Sequence, residues 1–205
     1  MKWPTQNIFV TGTDTGVGKS VVSAWLVQHL GAHYWKPIQS GLDGETDTHI
    51  IQKLTGLDDH HCYPPTFSLT QPLSPHEAAR RDGISIHLDD FSLPPAPRPL
   101  VVEGAGGVLV PLNKKDFMVD LIRHLDLPVV LVARTALGTI NHTLLSLEAL
   151  RHRQIPILGI ILNGPENPAN TQALRDYAHC PILAAIPHLT PLNAQTLATL
   201  PSEAY

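Results

Sequence analysis

Hydrophobic positions along the chain follow two alternating patterns: short unbroken apolar runs, and longer stretches in which apolar residues return every three or four places. The runs at 8–10, 33–36, 100–103, 127–133, 157–162 and 182–186 read as buried strands, since a strand covered on both faces has no polar side to show. The stretches between them read as helices. Val21, Val22, Leu26, Val27 and Leu30 share a helical face over 21–30 that stops at Gly31, and a second helix is expected over 48–54 up to Gly56. Ser74, Pro75 and Glu77 form a helix start that runs to Gly83. Further helices are predicted over 117–125, from beyond His142 to about Arg151 with Leu144, Leu145, Leu147 and Leu150 as apolar face, and over 168–178. Strand and helix alternate, so the fold class is α/β: one domain without internal repeats, with a mostly parallel sheet, right-handed crossovers and helices on both faces. Residues 58–75 are polar and proline-rich and are expected to form a solvated loop, while four prolines over 93–99 dictate an extended connector.

The turn after the first strand adds chemistry to this outline. It reads Gly12-Thr13-Asp14-Thr15-Gly16-Val17-Gly18-Lys19-Ser20. Its glycines let the backbone curl with N–H groups facing inward at the positive end of the following helix, which makes a cradle for phosphate. Lys19 supplies a charge for the outer phosphates, and the Ser20 hydroxyl a ligand for the magnesium that accompanies a nucleotide. Five residues separate Gly12 from Gly18, one more than in the common phosphate-loop (P-loop) pattern; the plain alternative is a glycine-rich turn with a chance Gly-Lys-Ser. On the first reading the fold is P-loop NTPase-like, and ligands gather beyond the carboxyl ends of its strands.

That edge receives Lys36 and Ser40 from the run Lys36-Pro37-Ile38-Gln39-Ser40-Gly41, for which a solvated strand-end lysine is the ordinary alternative. Asp47 stands at the head of a helix, where either it or Thr46 caps the helix or Asp47 faces the magnesium. Glu103 ends a strand ahead of Gly104-Ala105-Gly106-Gly107. A strand-end carboxylate is the usual way for a phosphate-loop protein to hold magnesium from the opposite side. The glycines after it either admit a ligand close to the backbone or form only a tight turn.

Composition then removes classes. With 205 residues, 43% hydrophobic and 16% charged, the chain is ordinary globular protein, and its formal net charge of -4 argues against nucleic acid or an anionic membrane as partner. The first seven residues carry no apolar leader and no apolar run approaches a bilayer span, so a cytoplasmic location is expected. Cys62 and Cys180 lack paired spacing and read as free thiols. His60-His61-Cys62 invites a metal site, but no second ligand cluster follows at a fitting spacing, and a solvated loop is the simpler reading.

Together these motifs resemble the dethiobiotin synthetase family. The resemblance rests on the Gly12-to-Ser20 loop, on Lys36 to Gly41, on Val102-Glu103-Gly104-Ala105-Gly106-Gly107 and on Leu137-Gly138-Thr139-Ile140-Asn141-His142, which occur in the family's order and cover most of the chain. It implies carboxylation and cyclisation of 7,8-diaminononanoate with CO2, using ATP and Mg2+, to give dethiobiotin, ADP and phosphate through a carbamate and a carbamic–phosphoric anhydride. By the same resemblance Lys19 and Lys36 are catalytic, Lys19 on the phosphates and Lys36 at the carbamate and the transferring phosphoryl group. Ser20, Asp47 and Glu103 hold the Mg2+. Gly16, Val17, Gly18 and Val21, with Gly104, Ala105 and Gly106, line the nucleotide, and Asn163, Gly164, Pro187, His188 and Leu189 surround its base. Thr15, Ser40 and Gly106 meet the diamine. Family members are homodimers, and the stretch from Leu137 to Asn141 reaches the partner's site to bind the substrate's carboxylate tail.

Gly16 and Gly164 stand where the family often has acidic residues, which leaves a diamine contact and the preference for adenine over other bases open, and the prolines over 94–99 replace an expected helix. Two further classes share the scaffold. A partitioning-type ATPase switch carries a second lysine where this chain has Asp14, and uses a basic amphipathic tail that 191–205 does not offer. An amide-forming synthetase needs a glutaminase domain, for which 205 residues leave no room.

Overall fold

A computed structural model describes residues 6–97 and 99–201. The first five residues, on which most of the leader argument rests, Arg98 of the connector and the last four residues lie outside the described ones. The strands are β1 (Ile8–Gly12), β2 (His33–Trp35), β3 (Ile38–Ser40), β4 (Cys62–Tyr63), β5 (Phe67–Leu69), β6 (Leu100–Gly107), β7 (Val129–Arg134), β8 (Ile157–Asn163) and β9 (Ile182–Ile186). The helices are α1 (Lys19–Leu30), α2 (Asp47–Thr55), α3 (Pro75–Asp82), α4 (Met118–His124), α5 (Thr139–His152), α6 (Pro168–Tyr177) and α7 (Ala194–Ala198).

Seven strands form one parallel sheet in the order β4-β2-β6-β1-β7-β8-β9, and β3 and β5 make a separate parallel pair. The period of two along each strand divides the core. Phe9, Val102, Leu131 and Leu162 face a layer that includes α4, α5 and α6. Ile8, Val10, Val101, Val132 and Ile161 face α1, α2 and α7. Glu103 follows Val101 by two positions, so it emerges on the α1 and α2 side, which is where the phosphate loop delivers Lys19 and Ser20. Because all seven strands run the same way, their carboxyl ends share one edge.

Several expectations change here. β6 does not stop at Glu103 but runs through the glycines, with Gly107 paired to Gly12 of β1. Residues 58–75 hold β4 and β5, too short for any periodicity to reveal, and made by pairing Cys62 with Tyr34 and Phe67 with Ile38. β3 occupies the middle of the Lys36-to-Gly41 run, α7 follows the last strand, and neither carries a clear sequence pattern. α5 starts at Thr139 rather than beyond His142, its Thr139 hydroxyl donating to Arg134 O at 2.5 Å, so Asn141 lies in the first turn. Leu147 and Leu150 are buried as expected, whereas Leu145 is 56% exposed. Residues 93–97 and 99 of the connector are neither helix nor strand.

Candidate active site

The phosphate loop hands over to α1 at Gly18, whose φ of 94° lies in the left-handed region. A Cβ there would sit 2.1 Å from Asn163 Nδ2, so glycine is required on both counts. Asn163, at the end of β8, donates from Nδ2 to Val17 O at 3.0 Å and ties the loop to a strand two places from β1 in the sheet. The loop tip is held as well: Asp14 accepts from its neighbour Thr15 N and from Arg134 Nη2 at the end of β7, both at 2.7 Å. Lys19 is buried and its Nζ donates to Asp14 O at 3.1 Å. Burial draws the Lys19 ammonium below its ordinary pKa against the opposing pull of Glu103, and the Lys36 charge acts in the same direction as burial.

Opposite the loop, Lys36 follows β2 and is 4% exposed, which removes the solvated strand-end reading. Its Nζ lies 3.0 Å from Asp47 Oδ2 and 3.0 Å from Glu103 Oε1. Burial alone would lower its pKa; the two carboxylates prevail and hold it above the lysine value. Ser20 Oγ completes the cluster 2.5 Å from Asp47 Oδ1 and 3.0 Å from Glu103 Oε1, its single proton shared between the two carboxylates. Burial would raise Asp47, but the Lys36 charge and the hydrogen bonds from Ser20 and Lys36 bring it below its ordinary value. Thr46, not Asp47, caps α2, since its side chain accepts from His49 N. Asp47 is thereby left to point its carboxylate at the site.

These three oxygen-bearing side chains fit a hard divalent cation. A hydroxyl and two carboxylates converge on a point already satisfied by positive charge, and magnesium takes few protein ligands alongside phosphate oxygens and water. Among the described residues no group of three or more His, Cys, Asp or Glu side chains could hold a metal by itself, so such an ion would lean on Ser20 and on a nucleotide's phosphates. The His60-His61-Cys62 trio is used otherwise: His61 pairs with Asp58 at 2.6 Å and stacks on His33, while Cys62 is buried in β4.

A cavity of about 750 Å³ opens over this cluster, with Lys19, Lys36, Asp47 and Glu103 on its walls. A family model described as an AAA domain matches residues 6–196. An ATP-dependent dethiobiotin synthetase, BioD, of Paramagnetospirillum magneticum is 51% identical over 196 residues, covering 96% of this chain and 95% of that one. The chain belongs to the ATP-dependent dethiobiotin synthetase family. A second such synthetase, from Nitrobacter hamburgensis, is 50% identical over 93% of this chain and 90% of its own. Among solved structures, the septum site-determining protein MinD of Pyrococcus horikoshii, solved with Mg-ADP, aligns with a TM-score of 0.57 over 97% of this chain and 88% of that one. At 16% identity that likeness is one of fold alone.

Of the residues that the dethiobiotin synthetase pattern singles out, Thr15, Gly16, Gly18, Ser20, Val21, Ser40, Ala105 and Gly106 also border the cavity. Gly104 does not: a Cβ there would meet Phe9 Cε1 at 2.8 Å, so packing requires this glycine. Gly164, with φ 137°, would bring a Cβ within 2.7 Å of Thr135 Oγ1, which explains why an acidic side chain is missing there. Gly16 has open space around it. Pro187 and His188 are exposed at the exit of β9, and Leu137 and Asn141 are exposed around the start of α5, away from the cavity. Sequence reasoning missed Tyr34, Gln39 and Arg134. Gln39 Oε1 accepts from Asp47 N at 3.2 Å, and Tyr34 donates to Glu103 Oε2 at 3.1 Å. A tyrosine two residues before the strand-end lysine, hence on the same face, was the available signal.

Proposed function

We propose that the chain is an ATP-dependent dethiobiotin synthetase, joining CO2 to 7,8-diaminononanoate and closing the ureido ring at the cost of one ATP. The observation that carries this reading is the Lys36 ammonium, buried between Asp47 and Glu103 beside the phosphate loop. Phosphoryl transfer from ATP to a carbamate asks a protein mainly for positioning and positive charge where charge develops. In this reading one amine captures CO2 as a carbamate, Lys36 steadies the carbamate oxygen, and that oxygen attacks the γ-phosphorus with ADP leaving. The second amine then attacks the anhydride carbon and phosphate departs. Lys19 and the loop N–H groups hold the phosphates throughout, and Thr15 and Ser40 bind the diamine. The Ser40 hydroxyl, buried and without a hydrogen-bond partner among the described residues, suits that task. Magnesium held by Ser20, Asp47 and Glu103 would neutralise phosphate charge.

The proposal takes residues 1–205 as one domain, places the enzyme in the cytoplasm on sequence grounds, and treats it as a homodimer in which Leu137 to Asn141 serve the partner's substrate. Leu137 is 99% exposed, and Leu109 and Leu145 flank a cleft of about 400 Å³, which supports an apolar contact surface there. Asn163, Gly164, Pro187, His188 and Leu189 would surround the base, and a glycine at 164 leaves its identity weakly specified. The partitioning-switch reading is not favoured, because Asp14 fills the position of the second lysine and is paired with Arg134. The amide-forming reading is not favoured by relatives that are named dethiobiotin synthetases over nearly their whole length. The test is ADP formation from ATP with magnesium and bicarbonate. It should require the diamine, and turnover indifferent to the diamine would overturn the assignment.

A further inference from the structure

Glu103 is 1% exposed, and its two oxygens are bonded by different groups. Oε1 accepts from Lys36 Nζ and Ser20 Oγ, both at 3.0 Å, and so faces the point where a cation would bind. Oε2 accepts from the hydroxyl of Tyr34 at 3.1 Å. The sheet register dictates this contact. Tyr34 lies beside Val101 across the β2–β6 pair, so its ring stands on the same face as Glu103, two residues further on, and the long side chain spans the diagonal. Tyr34 is fully buried among the side chains of the α1 and α2 layer, where a phenylalanine would fill the same space without a hydroxyl to desolvate.

We propose that Tyr34 is a positioning residue for magnesium: by fixing Oε2 of Glu103 it selects Oε1 as the oxygen presented to the ion. Lys36 cannot do this, because it bonds the same oxygen that the ion would take and is needed at the reacting phosphoryl group. Donors behind a ligating carboxylate set its orientation and contribute strongly to metal affinity. The inference rests on the assignment of Glu103 as a magnesium ligand.

The experiment is calorimetric titration of ADP into wild type and Tyr34→Phe, first with chelator and then over a series of magnesium concentrations, with melting curves to verify folding. We expect an unchanged ADP affinity without magnesium, and about a tenfold higher magnesium concentration needed to reach half of the magnesium-dependent gain. In a Glu103→Gln background the Tyr34→Phe effect should vanish, which a merely structural tyrosine would not show. A folded Tyr34→Phe with the wild-type magnesium curve would overturn the proposal, as would an equal loss of affinity with and without magnesium. If wild-type ADP binding ignores magnesium altogether, the ligand assignment falls and this inference with it.

Discussion

Replacing Lys36 by methionine keeps the length of the side chain and removes the charge. At 3.0 Å each of its two carboxylate contacts carries about 5 kcal/mol of gross attraction at an effective dielectric near ~20, most of which the cost of stripping water from the ions offsets. Deleting one partner of a buried pair costs about 3–5 kcal/mol, because the remaining charge is stranded. Asp47 retains 25% side-chain exposure, so the lower end applies: about 3 kcal/mol, or a melting temperature about 6–12 °C lower for a chain of this size. Magnesium chloride should recover part of that loss, since a divalent cation can replace the missing charge between the carboxylates. Catalysis should suffer more, with kcat for ADP formation down by about 10²–10³, the usual cost of losing a charged stabilising group. The pH dependence follows from the signs. Lys36 is raised above 10.5, so its contribution is lost only as pH rises past that value. Asp47 is lowered below 3.8, so its contribution is lost as pH falls through that region. The gap between wild type and variant should therefore hold from neutral pH up to about 9 and close in acid, starting where the variant's Asp47, without the Lys36 charge that lowers it, takes up a proton. A Lys36→Met enzyme that melts and turns over like wild type would refute the reasoning.

Three further outcomes are expected. Glu103→Gln keeps the shape of the side chain but weakens the ligand set, so half-maximal ADP formation should need at least about ten times more magnesium; an unchanged requirement would count against Glu103 as a ligand. Gly18→Ala places a methyl group against Asn163 at a φ of 94°, which should cost about 1–2 kcal/mol in backbone strain and more in lost ADP affinity, measured by melting and calorimetry. Burial pushes the Cys62 thiol up to about 11, so iodoacetamide should label it slowly at neutral pH and faster as the pH climbs, with rapid labelling only in denaturant; prompt native labelling at pH 7, mapped by peptide mass, would contradict its burial.

What could be read from the chain divides along a physical line. The long apolar runs of β1, β7 and β8 and the phosphate loop were legible because burial on both faces and a glycine-rich turn each leave a local mark. Lys36 and Asp47 were legible as strand-end and helix-start positions and Glu103 as a strand carboxylate ahead of glycines, although not as the strand's end that it was expected to be, and their convergence within hydrogen-bond distance depends on sheet order, which no local pattern encodes. β3, β4 and β5 escaped because strands of two or three residues are made by their partners. Continuity of β6 through its glycines was hidden for the same reason: Gly107 is held by pairing with Gly12, against its own preference. Gln39 was invisible because it acts through Asp47, and Arg134 because its partner Asp14 lies 120 positions away, while Tyr34, which acts through Glu103, left only its shared face with Lys36 as a mark.

The most direct test of the synthetase assignment follows the carbon. Wild-type enzyme with ATP, magnesium, 7,8-diaminononanoate and ¹³C-labelled bicarbonate should give one acid-stable product, heavier than the diamine by labelled carbon dioxide less water, formed in step with ADP. ADP released without that product, or a product that carries phosphate in place of the label, would contradict the assignment and leave only the phosphate loop explained.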